Sequence, residues 1–455
     1  MIAEKTEGKE GSNLNGAPKL YIETYGCQMN VNDSEIVAAL LQNKGYGITK
    51  EPADADLIFI NTCSIRDNAE QRVRGRLDVF KQYKKKRPEL VVGVIGCMAE
   101  RLKEQLLVEE QTVDMVVGPD AYRDLPQLIH MASAGQKAVN VHLSREETYA
   151  DIQPVRMDPG KVSAFVSIMR GCNNMCAYCV VPYTRGGERS RDPQTILKEI
   201  SILEKENYRE ITLLGQNVNS YQWNIGGQNI DFPDLMASIA RQFPGIRIRF
   251  STSHPKDLSD KLLETIAAYP NLCRHIHLPV QSGSSRVLKE MKRGYSREEY
   301  MKRIESIRRI LPEASLSTDI IAGFSGETEE DHRETLSLME WAGYDFAFMF
   351  KYSERPGTYA ARKLKDDVPE EIKTRRLNEI IQLQNKLSAA SKKRDRDHIF
   401  EVLVEGTSKR SDKELFGRTS QNKVVVFPKG NNQPGDLIHV KIVRSTAATL
   451  IGERV

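Results

Sequence analysis

No run of apolar residues in this chain is long enough to cross a bilayer, which takes about 20 in a row, so no membrane partner is expected. The opening stretch MIAEKTEGKEGSNLNGAP is polar and lacks the apolar core of a signal peptide. Residues 1–17 therefore read as a disordered tail, and the protein as cytoplasmic. Cysteine is sparse and odd in number: seven, in a compartment that keeps thiols reduced, do not make a disulfide framework. Metal binding or catalysis is the better use for most of them. Internal sequence repeats are lacking too. Strong charge of one sign is also missing, since 66 Lys and Arg against 62 Asp and Glu leave +4. That small excess is unevenly placed. From Lys392 onward 13 Lys and Arg face 8 Asp and Glu, an excess of +5, so the remainder sums to −1. Only the C-terminal segment points to a polyanionic partner.

What is present is a soluble composition, 40% hydrophobic and 28% charged, over 455 residues, which is too long for one ordinary core. KLYIET, DLIFIN, LVVGVIG and DMVVG read as buried parallel strands, alternating with helix-period stretches such as DSEIVAALLQNKGY. They predict an open α/β sheet in a domain over 18–142. Residues 143–160 are polar with two prolines and read as a linker. From 161 to 391, six strands (VSAFVSIMR, EITLLGQN, IRIRFSTS, HIHLPVQ, SLSTDIIAGF, DFAFMFKYS), each followed by a helix, predict a partial parallel (βα)6 barrel. Residues 392–455 hold five short strands with turn signals, expected to close a small OB-like β-barrel.

Cys172, Cys176 and Cys179 form C-x3-C-x2-C on the loop after the first strand of that partial barrel. Barrel enzymes build their sites at this end. Three thiolates hold three corners of a four-iron cluster and leave the fourth iron open, as catalysis requires. A zinc knuckle is the competing use, but three cysteines with no nearby fourth Cys or His make a poor zinc site.

Cys27, Cys63 and Cys97 are scattered, yet each follows an apolar strand (YIETYGC, IFINTC, VGVIGC) and opens a helix. In a parallel sheet such positions share the carboxyl edge, where ligands bind, and helix N-termini favour thiolates. They predict a second cluster, against the plainer reading of three small buried residues. Cys273 fits neither trio and reads as core; His254, His275 and His277 show no ligand spacing and read as structural. The run KKKR at 84–87 reads as a solvated helix end.

The trio spacing, with Tyr178 just before Cys179, resembles the radical-SAM signature. With the N-terminal cysteines and the small C-terminal barrel, of TRAM type, nearly the whole chain resembles the radical-SAM methylthiotransferases. ETYGCQMNVNDSE and CAYCVVPYTRGGERSR are most similar to the branch acting on N6-isopentenyladenosine in tRNA.

The resemblance implies two 4Fe-4S clusters and S-adenosylmethionine. One S-adenosylmethionine methylates a sulfur of the auxiliary cluster. A second gives the radical that removes hydrogen from adenine C2, where the methylthio group is placed. It also implies cofactor contacts at Tyr178, Gln216 and Asn217, and at Ser253, Gln281 and Arg293, which serve equally well as caps and loop braces. The implied partners are the tRNA anticodon arm, whose target base must leave its stack, a flavodoxin- or ferredoxin-like electron donor and a sulfur donor, with the protein a monomer. Lys409, Arg410, Arg418 and Lys423, aided by Phe416, would hold the RNA backbone. Arg185, Arg189 and Arg191 either touch RNA or brace the cofactor side. Two alternatives remain at this point: action on threonylcarbamoyl-adenosine or a ribosomal-protein aspartate, and a non-catalytic iron–sulfur RNA-binding redox sensor.

Overall fold

The computed structural model describes residues 16–63, 67–158, 160–446 and 448–455, so residues 1–15 of the expected tail lie outside the described residues. The chain divides into two compact units, residues 1–143 with 152–155, and residues 144–151 with 156–455. Among the described residues no helix is long and apolar enough to cross a membrane.

The first unit is an all-parallel sheet of β1 (Lys19–Tyr25), β2 (Gly47–Ile48), β3 (Leu57–Thr62), β4 (Val91–Ile95), β5 (Met115–Val117) and β6 (Ala138–Asn140), in the order β2-β1-β3-β4-β5-β6. Every residue of β3 and β4 is buried, because helices cover both faces of the central strands. Four strands were expected; β2 and β6, with two and three residues, are too short to carry an apolar run. The KKKR run is a correction. Lys84 pairs with Asp114 and Arg87 donates to the Ala55 carbonyl, so the helix Asp67–Lys86 is pinned to the sheet there. Only Lys85 and Lys86 are exposed.

The second unit opens with β7 (Ser163–Ser167), followed by a short antiparallel pair, β8 (Met169–Arg170) and β9 (Arg189–Ser190). β10 (Glu210–Leu214), a hairpin of β11 (Gln222–Ile225) and β12 (Gln228–Asp231), β13 (Arg247–Phe250), β14 (His275–His277), β15 (Ser315–Ala322) and β16 (Phe346–Lys351) follow. The sheets β13-β10-β7 and β14-β15-β16 meet at a parallel bridge between Ile248 and Leu272. Six parallel strands thus follow one another round an arc, as the strand count predicts. Four outer helices start on a capping side chain read straight from sequence: Asp231, Ser259, Ser296 and Thr328 each accept from a backbone N–H of the first turn. The apolar core lies between strands and helices, around Val166, Leu213, Ile248, Ile276 and Ile320.

β17 (Ile399–Ser408), β18 (Ser411–Thr419), β19 (Val424–Pro428), β20 (Leu437–Ser445) and β21 (Leu450–Arg454) form a closed barrel in the order β17-β18-β19-β21-β20. Its turn after β18 enters the amino end of the arc. Arg249 donates to the carbonyls of Thr419 (2.7 Å) and Ser420 (3.0 Å), Arg247 to that of Arg418 (2.8 Å), and Ser315 to that of Gln421 (2.6 Å). Behind them Glu210 faces Arg249 at 2.9 Å, both buried. The small barrel is therefore fastened to the larger one by buried, charge-assisted hydrogen bonds.

Candidate cluster and cofactor sites

The loop bearing Cys172, Cys176 and Cys179 is closed at its base by β8 and β9, and Cys172 N–H donates to the Gly186 carbonyl at 3.1 Å. Gly171 lies at φ +77°, where a Cβ would stand 1.9 Å from the Gly187 carbonyl oxygen. The two ends of the loop cross so tightly that only glycine fits. Gln216, just beyond β10, accepts from Gly171 N–H. Asn173 and Glu188 exchange hydrogen bonds of 3.1 and 3.2 Å across the loop, and Lys256 reaches Asn174 at 3.0 Å. The tip is held by Ala177 N–H on the Met291 carbonyl and Ala360 N–H on the Ala177 carbonyl. These anchors follow β8, β10, β14 and β16, so the loop rests on the carboxyl ends of the arc.

Burial pushes the Cys172 thiol up to about 11, helped by the Glu188 carboxylate, and the Cys179 thiol up to about 12, helped by Cys176. These thiols keep their protons near neutral pH, so loading metal must displace them. Arg293 is the cation in place to stabilise the thiolates. It is buried, donates to Cys176 Sγ at 3.3 Å, and spends its other bonds on the Pro279 carbonyl (2.8 Å) and Tyr295 Oη (3.0 Å). No carboxylate among the described residues pairs with it. A buried guanidinium in this position calls for an anionic partner.

Among the described residues no three Cys, His, Asp or Glu side chains converge as a single-ion site. A zinc ion needs its sulfurs all about 2.3 Å from one centre; a four-iron cube gives each thiolate its own iron and takes more widely set ligands. Three thiols with N–H donors at two of their sulfurs (Asn174 N to Cys172 Sγ is 3.4 Å) fit the cube.

The expected cofactor contacts divide. Ser253 Oγ is buried with no hydrogen-bond partner among the described residues, the feature of a group waiting for a ligand. Asn217 is spent internally, donating to Asp257 at 2.7 Å and accepting from His254 N–H at 3.1 Å. Gln281 is buried at φ +75°, its backbone bonded to β15 on both sides. Tyr178 packs edge-on against Phe324 at 6.4 Å. Burial and the Arg293 charge hold His254 neutral, and His275 and His277 both hydrogen-bond Ser317 at 2.9 Å. Cys273 is buried, its thiol pushed up to about 11 by burial.

In the first unit the three cysteines follow β1, β3 and β4, which are consecutive in the sheet. Cys27 caps the helix Gln28–Gln42 and Cys97 starts the helix Cys97–Leu102; residues 64–66 after Cys63 lie outside the described residues. Gly26 has φ +128°, and a Cβ there would be 2.5 Å from Cys63 Cβ. Beneath the thiols lies a buried amide network that sequence reasoning passed over, although both residues stand in the quoted motifs. Asn30 Oδ1 accepts from Cys27 Sγ (3.1 Å), Asn30 Nδ2 donates to Asn61 Oδ1 (2.9 Å), and Asn61 Nδ2 donates to the Asn30 carbonyl and Ser34 Oγ (2.9 Å each). It ties the helix after Cys27 to the strand before Cys63.

Comparison with known proteins bears on these sites. Residues 19–118 match the uncharacterized protein family UPF0004, 166–339 the Radical SAM superfamily, and 395–455 the TRAM domain. The tRNA-2-methylthio-N(6)-dimethylallyladenosine synthases of Bacteroides fragilis and Phocaeicola vulgatus are each 60% identical over 96% of both chains. That of Porphyromonas gingivalis is 57% identical over 96% of this chain and 94% of its own. The chain belongs to this synthase family. As a radical-SAM synthase it takes S-adenosylmethionine and 4Fe-4S clusters as cofactors. Its fold is shared with the radical S-adenosylmethionine methyltransferase TsrM from Kitasatospora setae (TM-score 0.57, 12% identity, 76% of this chain and 74% of that one). The cobalamin-dependent S-adenosylmethionine radical enzyme OxsB is also similar (TM-score 0.54, 14% identity, 81% and 56%).

In this synthase several of the cations assigned to RNA lie elsewhere. Arg185, Arg189 and Arg191 are buried. Arg189 donates to the Arg185 carbonyl at 2.9 Å, and Arg191 is held by Glu199 and Thr195. Their burial leaves all three turned into the protein rather than toward solvent. Lys423 is also withdrawn, bound to Asp395 at 2.7 Å and Asp345 at 3.2 Å, and Arg418 pairs with Glu405 at 3.0 Å beside the joint. Phe416 is half-buried over Gly406. Lys409 and Arg410 alone of the set stand exposed, at the β17–β18 turn.

The Gly26 contact gives a direct test. Gly26→Ala should push Cys63 off its position and lower the iron content of the purified protein by about half, the share of one of two four-iron clusters. Full iron in a folded Gly26→Ala protein would show that the contact does not set the trio.

Proposed function

We propose that the protein places a methylthio group on C2 of N6-isopentenyladenosine beside the tRNA anticodon, with one four-iron cluster on Cys172, Cys176 and Cys179 and an auxiliary one on Cys27, Cys63 and Cys97. The observation that carries this is the pair of cysteine trios, one after consecutive strands of a parallel sheet and the other on the loop over the carboxyl ends of the arc, in a chain 60% identical to synthases of that name. An aromatic C–H is not opened by acid–base chemistry, and the clusters with S-adenosylmethionine supply the radical, methyl and sulfur chemistry when bound.

The chain's own residues do the holding. Gly171 and Gln216 fix the loop, Arg293 places positive charge on Cys176 Sγ, and Ser253 Oγ is free to bond S-adenosylmethionine. In the first unit Asn30 and Asn61 set Cys27 against Cys63. The working parts are 18–142, 161–391 and 392–455, in a cytoplasmic monomer served by a flavodoxin- or ferredoxin-like reductant and a sulfur donor. Mass spectrometry of tRNA nucleosides from a strain lacking the gene should find N6-isopentenyladenosine accumulating without its methylthio group; an unchanged methylthio content would overturn the assignment.

RNA backbone grip falls to Lys409 and Arg410, which face solvent at the end of the small barrel away from the joint. Reversing both charges should weaken tRNA binding and flatten its salt dependence, by about 0.7–0.9 in log–log slope for each phosphate no longer neutralised. An unchanged slope would exclude this turn.

A further inference from the structure

β16 presents phenylalanine at every second position. Phe346, Phe348 and Phe350 are 50%, 45% and 38% exposed, while Ala347 between them is 1% exposed and Met349 packs into the core. Strand alternation puts the three rings on one face. The other face is covered by the helix Glu370–Arg394, whose Gln384 and Ser388 bond the carbonyls of Tyr344 (3.0 Å) and Asp345 (2.9 Å). The rings therefore line the concave side of the arc. No other strand among the described residues exposes three large apolar side chains in alternation.

The stripe is preformed and reaches the chemistry. Phe346 and Phe348 meet edge to face at 4.8 Å, and Phe348 meets the His277 ring at 5.9 Å and 86°. In the strand register Phe350 stands opposite Ile321, which packs against the apolar cluster that holds Ala177 of the cysteine loop and that Tyr178 also packs against. Beside the stripe runs a polar row. Asp319, opposite Phe348, faces His277 Nε2 at 3.4 Å, and His277 Nδ1 bonds Ser317 at 2.9 Å. An apolar strip flanked by a carboxylate and an imidazole suits a molecule with a polar heterocycle and a short apolar tail.

We propose that Phe346, Phe348 and Phe350 seat the five-carbon N6 substituent of the substrate adenosine, and so make the enzyme favour prenylated RNA. The inference rests on the substrate reading given above. The tail covers rings otherwise left in water, and adenine's polar edge faces His277 and Asp319. An unprenylated adenosine leaves the strip wet and is rejected because it buries too little apolar surface, not because it clashes.

The test uses full-length holoenzyme and anticodon stem-loop RNAs with and without the N6-isopentenyl group. Wild type should favour the prenylated RNA by about 100-fold in kcat/KM, on the scale of a few buried methylenes. In Phe348→Ala/Phe350→Ala, compared at equal iron content and thermal midpoint, affinities and rates for the two RNAs should converge to within about tenfold. Phe348→Leu, which keeps an apolar surface, should retain most of the preference. A preference undiminished in the double variant overturns the seat while leaving the substrate reading intact. A wild-type enzyme that methylthiolates neither RNA, or both alike, overturns the substrate reading and the seat with it.

Discussion

Replacing Cys172, Cys176 and Cys179 with alanine should abolish release of 5′-deoxyadenosine from S-adenosylmethionine and remove about half of the roughly eight irons expected for two four-iron clusters. The loop that carries them is fixed at its base by Gly171, Gln216 and the β8–β9 pair, so the backbone should survive the loss of three thiols. Alanine substitution of Cys27, Cys63 and Cys97 should remove the other half of the iron. That variant should still release 5′-deoxyadenosine but form no methylthio product. The two trios lie in separate compact units with separate hydrogen-bond scaffolds, so neither should depend on the other to load. Iron near zero in either folded variant would contradict two separable sites. Absence of 5′-deoxyadenosine from the wild-type protein under reducing conditions would favour a redox sensor.

Arg249→Ala should lower the stability of the second unit by about 3–5 kcal/mol, the usual cost of removing one partner of a buried ion pair. It strands Glu210, which is 4% exposed and whose only other cation in reach among the described residues is Arg247 at 4.0 Å. It also removes the donors that hold the Thr419 and Ser420 carbonyls. Urea unfolding followed by fluorescence would read the loss, and limited proteolysis should cut between the two barrels before either unfolds. Arg249→Lys keeps the charge without the planar fork and should fall between. A loss below about 1 kcal/mol, the value of a surface pair, would mean the joint is not held electrostatically.

The fold was legible where the physics is local. Fully buried β3 and β4 appear in the sequence as unbroken apolar runs, and capping residues mark helix starts. The two candidate trios stand out in the sequence for different reasons, one by tight spacing and the other by recurrence after strand ends. Long-range pairing was hidden. Nothing near Lys423 in sequence announces Asp345, so it reads as an RNA contact, and nothing near Arg191 singles out Glu199 as its counter-charge, so RNA contact and cofactor-side bracing both stay open for it. Asn30 and Asn61 escaped because an amide becomes a scaffold only once the sheet has brought residues 31 positions apart into contact. The phenylalanines of β16 were read simply as strand, since alternation says that two faces differ but not which one is wet.

The joint between the barrels carries a geometrical consequence. β18 runs from the exposed Lys409–Arg410 turn to Thr419 at the arc, nine residues or about 30 Å of extended chain. With its far end clamped through backbone carbonyls, that strand is a rigid spar, and the small barrel cannot swing independently of the cysteine loop. The enzyme is then a pair of calipers. With the grip proposed for Lys409 and Arg410, the target nucleotide would lie at a set distance from the held backbone, and lengthening the spar, rather than altering its charge, should move the mark along the RNA.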